Sequence, residues 1–173
     1  MIDTLASLVR DVPDYPKPGV VFKDITPLLA DAVAFAATTE ALLALVAEHG
    51  PFDKVVGIEA RGFILAAPVA VLANAGFVPV RKAGKLPGPT LSASYDLEYG
   101  SAVIEVKDDA VRSGDRLLVV DDVLATGGTV EATIELLERT GAEVAAVAVL
   151  MEIGFLQGRA RLGDRVVRAL LDV

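Results

Sequence analysis

One strand, together with the turn that follows it, constrains the fold of this chain more than any other feature. The segment reads Leu117-Leu118-Val119-Val120-Asp121-Asp122-Val123-Leu124-Ala125-Thr126-Gly127-Gly128-Thr129. Its four consecutive apolar residues predict a strand buried on both faces, which is typical of a parallel sheet. Asp121 and Asp122 follow at the carboxyl end of that strand, where open α/β sheets bind their ligands. The two carboxylates are therefore candidates for a ligand site.

The turn after the carboxylates has the composition of a phosphate site. Thr126-Gly127-Gly128-Thr129 is expected to open a helix that begins near Val130. The glycines allow close backbone approach to a ligand, while backbone N–H groups, threonine hydroxyls and the helix N-terminus favour a phosphate. Since the carboxylates can accept hydrogen bonds from vicinal hydroxyls, the segment predicts a site for ribose 5-phosphate. The plainer alternative is a buried strand with an acidic turn and a helix cap that bind nothing.

Strands and helices alternate along the rest of the chain. Further strands are expected over Lys54–Ile58, Phe77–Arg81, Ser101–Lys107, Glu143–Glu152 and Val166–Leu171, with helices over Ile2–Arg10 and Thr39–His49. This alternation predicts an α/β fold with a mostly parallel, doubly wound sheet and right-handed crossovers. A length of 173 residues fits a single domain over residues 1–173.

Two further loops carry cations at the same end of the predicted sheet. Glu59-Ala60-Arg61-Gly62 lies between a strand and a helix, where the forked donors of Arg61 can bind a pyrophosphate. Arg81-Lys82-Ala83-Gly84-Lys85 follows another strand and groups three cations in an acidic chain. A polar turn and a solvated basic face are the ordinary interpretations of these two segments.

Residues 82–100 are expected to form a long loop. The segment includes Leu86-Pro87-Gly88-Pro89 and has little hydrophobic content as far as Leu97. Loops of this length in a compact domain are usually lids or disordered segments, and a lid would keep water away from a bound ligand. Glu98 and Tyr99 stand at the end of the loop, where a carboxylate can exchange a proton with a heterocyclic base.

The composition narrows the class of protein. A net charge of −8 disfavours a nucleic-acid partner, and the absence of cysteine excludes disulfides, thiolate catalysis and sulfur-ligated metal sites. The longest apolar stretch, Phe63 to Ala73, contains Pro68 and is too short to span a bilayer. Because the first residues also lack the apolar segment of a signal peptide, we expect a cytoplasmic protein without a membrane partner.

The apolar content is high for a chain of this size. Hydrophobic residues make up 53% of the sequence, and the mean hydropathy is +0.53. This excess predicts that a partner subunit covers part of the surface, most simply in a homodimer. His49, the only histidine, precedes Gly50-Pro51 at a helix end and is expected to have a structural or surface role.

The strand-turn-helix segment resembles the 5-phosphoribosyl-1-pyrophosphate (PRPP) motif of type I phosphoribosyltransferases, and four more segments resemble the adenine-specific members of that family. These segments are Pro18-Gly19-Val20-Val21-Phe22-Lys23-Asp24-Ile25-Thr26-Pro27-Leu28-Leu29, Gly57-Ile58-Glu59-Ala60-Arg61-Gly62-Phe63, Arg81-Lys82-Ala83-Gly84-Lys85-Leu86-Pro87-Gly88 and Tyr95-Asp96-Leu97-Glu98-Tyr99-Gly100. The resemblance covers nearly the whole chain. It implies the family's fold, with an N-terminal hood over about residues 1–35 and a flexible lid over about 82–100. It also implies transfer of the phosphoribosyl group of PRPP to adenine, which gives AMP and pyrophosphate in purine salvage.

The resemblance assigns roles to individual residues around PRPP. Asp121 and Asp122 would bind the ribose hydroxyls, and the 5-phosphate would lie in a cradle of five residues. These are Ala125, Thr126, Gly127, Gly128 and Thr129. Arg61, Lys82 and Lys85 would hold the pyrophosphate. Mg²⁺ would arrive with PRPP and bridge its pyrophosphate to the ribose, so no protein metal site of its own is expected.

The resemblance also implies how the base is bound. Adenine would stack on Phe22, with Leu124 nearby, while backbone groups around Val21 and Lys23 read its edge. Glu98 would address N7 of the purine and Tyr99 would pack the closed lid. The loop at Glu59–Ala60 would carry a non-proline cis peptide bond.

Two other functions remain compatible with parts of this pattern. A phosphoribosyltransferase for a 6-oxopurine such as xanthine would share much of the scaffold, but it would need the opposite hydrogen-bonding pattern at position 6 of the base. A PRPP-sensing regulator that binds DNA would need a basic face or an added helix-turn-helix, which the acidic charge disfavours. Glu98 and the basic segment favour catalysis.

Overall fold

The N-terminal part of the protein forms a small hairpin and three helices. A computed structural model describes residues 2–96 and 101–173. In chain order this part contains α1 (Ile2–Ser7), β1 (Arg10–Pro13), β2 (Val21–Asp24), α2 (Thr26–Ala30), α3 (Ala32–Ala44) and a 3₁₀ turn (Ala47–His49). β1 and β2 pair antiparallel, with Val12 opposite Phe22.

Three predicted helix boundaries in this region are wrong. The helix predicted to reach Arg10 ends at Ser7, because Arg10 already pairs with Asp24 in the hairpin. Ala47–His49 form a separate 3₁₀ turn, and the helix predicted over Thr39–His49 runs from Ala32 to Ala44 instead. Its start is fixed by the Asp31 side chain, which accepts hydrogen bonds from the N–H groups of Val33 and Ala34.

The rest of the chain forms a seven-stranded sheet with its crossover helices. The elements are β3 (Lys54–Ile58), α4 (Arg61–Leu72), β4 (Gly76–Lys82), β5 (Thr90–Asp96), β6 (Ser101–Lys107), β7 (Arg116–Leu124), α5 (Gly128–Glu138), β8 (Glu143–Glu152), a 3₁₀ turn (Gly154–Leu156), α6 (Gly158–Arg161) and β9 (Val167–Asp172). The strand order is β5-β6-β4-β3-β7-β8-β9. The five strands from β4 to β9 in that order are parallel, whereas β6 pairs antiparallel with β4 and β5. The predicted mostly parallel, doubly wound sheet is confirmed.

β7 lies at the centre of the sheet and is covered on both faces. Leu117, Leu118, Val119 and Val120 have no exposed surface. Leu118 and Val120 pack in the core beside α3 and α4, while Leu117 and Val119 pack in the core beside α5. Burial on both faces explains the uninterrupted apolar run. It also fixes the position of the carboxyl end of β7, where the site residues follow.

The predicted loop over residues 82–100 is wrong in part, because Thr90–Asp96 form β5. Leu91, Ala93 and Tyr95 are partly buried against the core beside α5. They alternate with polar residues, as a strand with one covered face requires. The Arg139 guanidinium also donates to the Ser92 carbonyl at 2.7 Å. Glu98 and Tyr99 lie outside the residues that the structure describes.

Within residues 2–96 and 101–173, no helix combines the length and apolar character needed to cross a membrane.

Candidate active site

The two carboxylates at the end of β7 are held close to one arginine. Asp122 is only 5% exposed, and Arg61 Nε lies 2.7 Å from its Oδ2. This contact is an ion pair without hydrogen-bond alignment, because Oδ2 is buried and has no hydrogen-bond partner. The Asp122 N–H donates to Asp121 Oδ1 at 2.9 Å, which fixes the first carboxylate.

Burial changes the acidity of both carboxyl groups. Burial raises the pKa of Asp121 well above its ordinary value, and the adjacent charge of Asp122 raises it further. Burial also raises the pKa of Asp122, while the positive charge of Arg61 acts in the opposite direction. The pair is therefore costly to ionise without cations or hydrogen-bond donors nearby, which is typical of a binding site.

The predicted phosphate turn forms a cradle at the N-terminus of α5. Gly127 caps the helix with φ of 83°, a left-handed conformation that suits glycine. A cavity of about 80 Å³ is lined by Asp121 and by residues 123–130. The five cradle residues named in the sequence are thus together, next to a carboxylate and at a helix end that attracts anions.

Arg61 and the two carboxylates also border a larger cavity. Its volume is about 400 Å³, and its lining includes Arg61, Asp121, Asp122, Thr129 and Tyr95. α4 begins at Arg61, directly after a cis peptide bond between Glu59 and Ala60, as the resemblance implied. Tyr95 had no predicted role, although it is the first residue of one segment on which the family resemblance rests.

Glu59 connects the basic segment to this cavity. Its carboxylate accepts hydrogen bonds from the Lys82 N–H at 3.0 Å and from Arg81 Nε at 3.2 Å, and Lys85 Nζ is 3.7 Å from it. Burial alone would raise the pKa of Glu59, but the hydrogen bonds and positive charges outweigh it and lower the pKa. Lys82 and Lys85 are therefore near the site, although neither lines the larger cavity.

Gly62 is a site residue that the sequence reasoning missed. A Cβ atom at this position would lie 2.6 Å from Asp121 Oδ1 and 3.1 Å from the Val120 carbonyl oxygen. Only glycine therefore allows α4 to approach β7 closely enough for Arg61 to reach Asp122. The sequence feature that could have indicated this role is the position of a glycine directly after Arg61.

The predicted base-binding residues lie on the N-terminal hairpin. Phe22 is in β2, where the guanidinium carbon of Arg61 lies over its ring, 4.8 Å from the centroid. The Tyr15 ring meets Phe22 edge-on at 5.2 Å. Val21 is 49% exposed, and Lys23 forms an ion pair with Asp11 at 2.8 Å. Leu124, expected beside the base, is fully buried in this structure.

His49 lines neither cavity of this site. Its backbone carbonyl accepts a hydrogen bond from Arg116 Nη2 at 2.7 Å, and its ring lies 3.2 Å from the Glu48 carboxylate. These contacts agree with the structural or surface role expected from the sequence.

Comparison with known proteins gives the family of this chain. Residues 27–168 match the model of the phosphoribosyl transferase domain. The adenine phosphoribosyltransferase of Streptomyces avermitilis is 65% identical over 98% of this chain and 93% of its own. The crystal structure of the enzyme from Rhodothermus marinus has a TM-score of 0.95 at 52% identity, covering 99% of this chain and 98% of its own. The enzyme from Saccharomyces cerevisiae, solved with adenine and an imino-altritol bisphosphate, has a TM-score of 0.94 at 36% identity, covering 98% of each chain. The chain belongs to the phosphoribosyltransferase family, within its adenine phosphoribosyltransferase group.

Proposed function

We propose that this chain transfers the 5-phosphoribosyl group of PRPP to adenine, which yields AMP and pyrophosphate in purine salvage. The observation that carries the proposal is the convergence of three features. The Asp121–Asp122 pair, the glycine cradle at α5 and the Arg61 guanidinium border two cavities that share Asp121 and Thr129 in their linings. Relatives named for this activity support the same assignment.

The sugar phosphate of PRPP would lie along β7 and α5. Asp121 and Asp122 accept hydrogen bonds from the ribose hydroxyls, which compensate for the burial of these carboxylates. The 5-phosphate accepts hydrogen bonds from the cradle residues, where the helix dipole and backbone N–H groups favour a dianion. These residues position C1 of the ribose and take no covalent part in the reaction.

The pyrophosphate of PRPP would be held by Arg61, Lys82 and Lys85. These cations stabilise the charge that develops on the leaving group. Mg²⁺ would arrive with PRPP, and its charge suits this site, because the Asp121 and Asp122 carboxylates line the larger cavity and carboxylate oxygens are a ligand type that Mg²⁺ accepts. When bound, it would neutralise part of the pyrophosphate charge.

Adenine would bind at the hairpin side of the site. Phe22 supplies the stacking surface, and the backbone groups around Val21 and Lys23 read the base edge. Leu124, which lines the cavity of the phosphate cradle, would contact the base from that side. The bond between C1 and pyrophosphate loosens first, and adenine N9 attacks the oxocarbenium-like carbon from the opposite face. Positioning and charge placement supply most of the rate acceleration.

The activity is tested by comparing four bases. Mg-PRPP is mixed with adenine, guanine, hypoxanthine or xanthine, and pyrophosphate release is followed. We expect release with adenine to exceed that with each 6-oxopurine by at least about a hundredfold, because a site built for the 6-amino pattern leaves polar groups unpaired with an oxo group. Release with xanthine but not with adenine would contradict the assignment.

Glu98 would exchange the proton of the purine at N7, and Tyr99 would pack over the bound substrates. Glu98→Gln removes the basic carboxylate and keeps the shape of the side chain. We expect kcat to fall about a hundredfold or more with adenine, the magnitude typical of general acid–base catalysis. A kcat equal to that of the wild type would remove the proton-transfer role and leave the substrate assignment intact.

The active form would be a homodimer. The strongest support is an apolar face on α3 and α4, where Val33 and Val71 are 80% and 79% exposed and Leu72 is 50% exposed. A groove of about 440 Å³ between the two helices is lined mainly by apolar side chains, including Phe35 and Pro68. A second copy of the chain would remove this surface from water.

A further inference from the structure

One guanidinium lies between two parts of the candidate site. Arg61 Cζ is 4.8 Å from the centroid of the Phe22 ring, and Arg61 Nε is 2.7 Å from Asp122 Oδ2. The cavity of about 400 Å³ is lined by Arg61 and Asp122 but not by Phe22. The guanidinium therefore separates the aromatic ring from the cavity that holds the carboxylates.

These contacts compete with the contacts proposed for the substrates. A guanidinium and a purine cannot stack at the same place on one aromatic ring. Asp122 Oδ2 is buried and has no hydrogen-bond partner despite the nearby arginine, so a ribose hydroxyl would satisfy it better. Arg61 itself has a planar fork of donors, and a pyrophosphate matches that fork more closely than a ring does.

We propose that Arg61 couples the binding of the two substrates by taking two alternative positions. In one position it covers Phe22 and pairs with Asp122. In the other it binds the pyrophosphate of PRPP and leaves the aromatic ring free for adenine and the carboxylate free for the ribose. This inference rests on the proposed function, because it uses the base and pyrophosphate sites assigned there.

The coupling has a consequence that does not require catalysis. Inorganic pyrophosphate alone should draw Arg61 from Phe22 and strengthen adenine binding. By thermodynamic linkage, adenine must strengthen pyrophosphate binding by the same factor. A site in which Arg61 merely binds pyrophosphate would give no such effect on the base.

The experiment measures the dissociation constant of adenine by isothermal titration calorimetry, with and without Mg-pyrophosphate. For the wild type we expect adenine to bind about fivefold more tightly when pyrophosphate is present, the factor that corresponds to loss of one cation–π contact. Arg61→Gln should bind adenine alone about fivefold more tightly than the wild type does. Pyrophosphate should then add nothing.

Arg165→Gln is the matched control. Arg165 also pairs with a carboxylate, that of Glu138 at 2.6 Å, but it lies outside the candidate site. This variant should respond to pyrophosphate as the wild type does, and thermal unfolding verifies that both variants are folded. Weaker adenine binding by Arg61→Gln would overturn the inference, as would a wild-type adenine affinity that pyrophosphate leaves unchanged.

Steady-state AMP formation separates this inference from the proposed function. If the wild type forms AMP from adenine but shows no effect of pyrophosphate on adenine binding, only the coupling role of Arg61 fails. If no AMP forms, the proposed function fails.

Discussion

At the scale of single residues, the candidate site works against the stability of the fold. The pKa of Asp121 is raised in the folded protein by burial and by the charge of Asp122. An acid whose pKa is raised by folding makes its full contribution to the free energy of unfolding below its pKa in the unfolded chain, 3.8. That contribution is lost as the pH rises through the pKa of the folded state. At neutral pH the burial of the Asp121 carboxyl group is therefore a cost to folding.

Asp121→Asn removes this cost and keeps the shape of the side chain. We expect a higher melting temperature than that of the wild type at pH 7.5, with the difference shrinking as the pH falls towards 4. The kcat/KM for PRPP should fall about tenfold to a hundredfold, because a charge-assisted hydrogen bond to the ribose becomes a neutral one. Thermal unfolding from pH 4 to 8 and AMP formation measure the two effects. A variant less stable than the wild type at pH 7.5 would contradict the argument.

Gly62 shows how one missing Cβ positions a charged group. In Gly62→Ala the new carbon would lie 2.6 Å from Asp121 Oδ1, so the carboxylate or α4 must shift. We expect about 1–3 kcal/mol lower stability by urea unfolding and a raised KM for PRPP. Gly76→Ala is the control, because its nearest contact would be an ordinary 3.5 Å from Lys54 Cγ. Equal effects of the two substitutions would refute the packing explanation.

At the scale of secondary-structure elements, local signals and tertiary contacts differ in what they reveal. β7 and α5 were predictable because an apolar run and a glycine turn specify them locally. β5 was missed, because its stability comes from pairing with β6 and from packing against α5. The contact of Arg61 with Phe22 joins residues far apart in the chain, so the segments that contain them give no sign of it.

The turn between β7 and α5 should be sensitive to its first glycine. Gly127 has φ of 83°, and an added Cβ would lie 2.4 Å from the Gly158 carbonyl oxygen. Gly127→Ala should therefore lose about 2–4 kcal/mol of stability, from the left-handed backbone and the overlap together, and should raise the KM for PRPP. Gly114→Ala isolates the backbone effect, because its φ is 86° with no atom within 4 Å of an added Cβ. That control should lose about 1 kcal/mol; a loss as large as that of Gly127→Ala would show that the contact with Gly158 has no effect.

At the scale of the whole molecule, the distribution of apolar surface predicts where two copies meet. The net charge of −8 opposes association at long range, so a dimer needs a contact that is largely apolar. We expect the face of α3 and α4 to provide it, because Val33, Val71 and Leu72 are exposed on these helices and a groove lies between them. Both helices lie on the same side of the central sheet, in the core that includes Leu42 and Leu65.

Val71→Asp tests this face with little effect on the fold of one chain, since the valine is 79% exposed and makes few contacts within it. Burying two carboxylates in an apolar contact costs several kcal/mol, so we expect the variant to sediment as a monomer at concentrations where the wild type sediments at twice the 18.0 kDa chain mass. Phe155→Asp is the matched control, because Phe155 is 83% exposed but lies outside α3 and α4. Its mass should equal that of the wild-type dimer. A dimeric Val71→Asp variant would show that the two copies meet at another surface. A monomeric wild type would contradict the proposed homodimer.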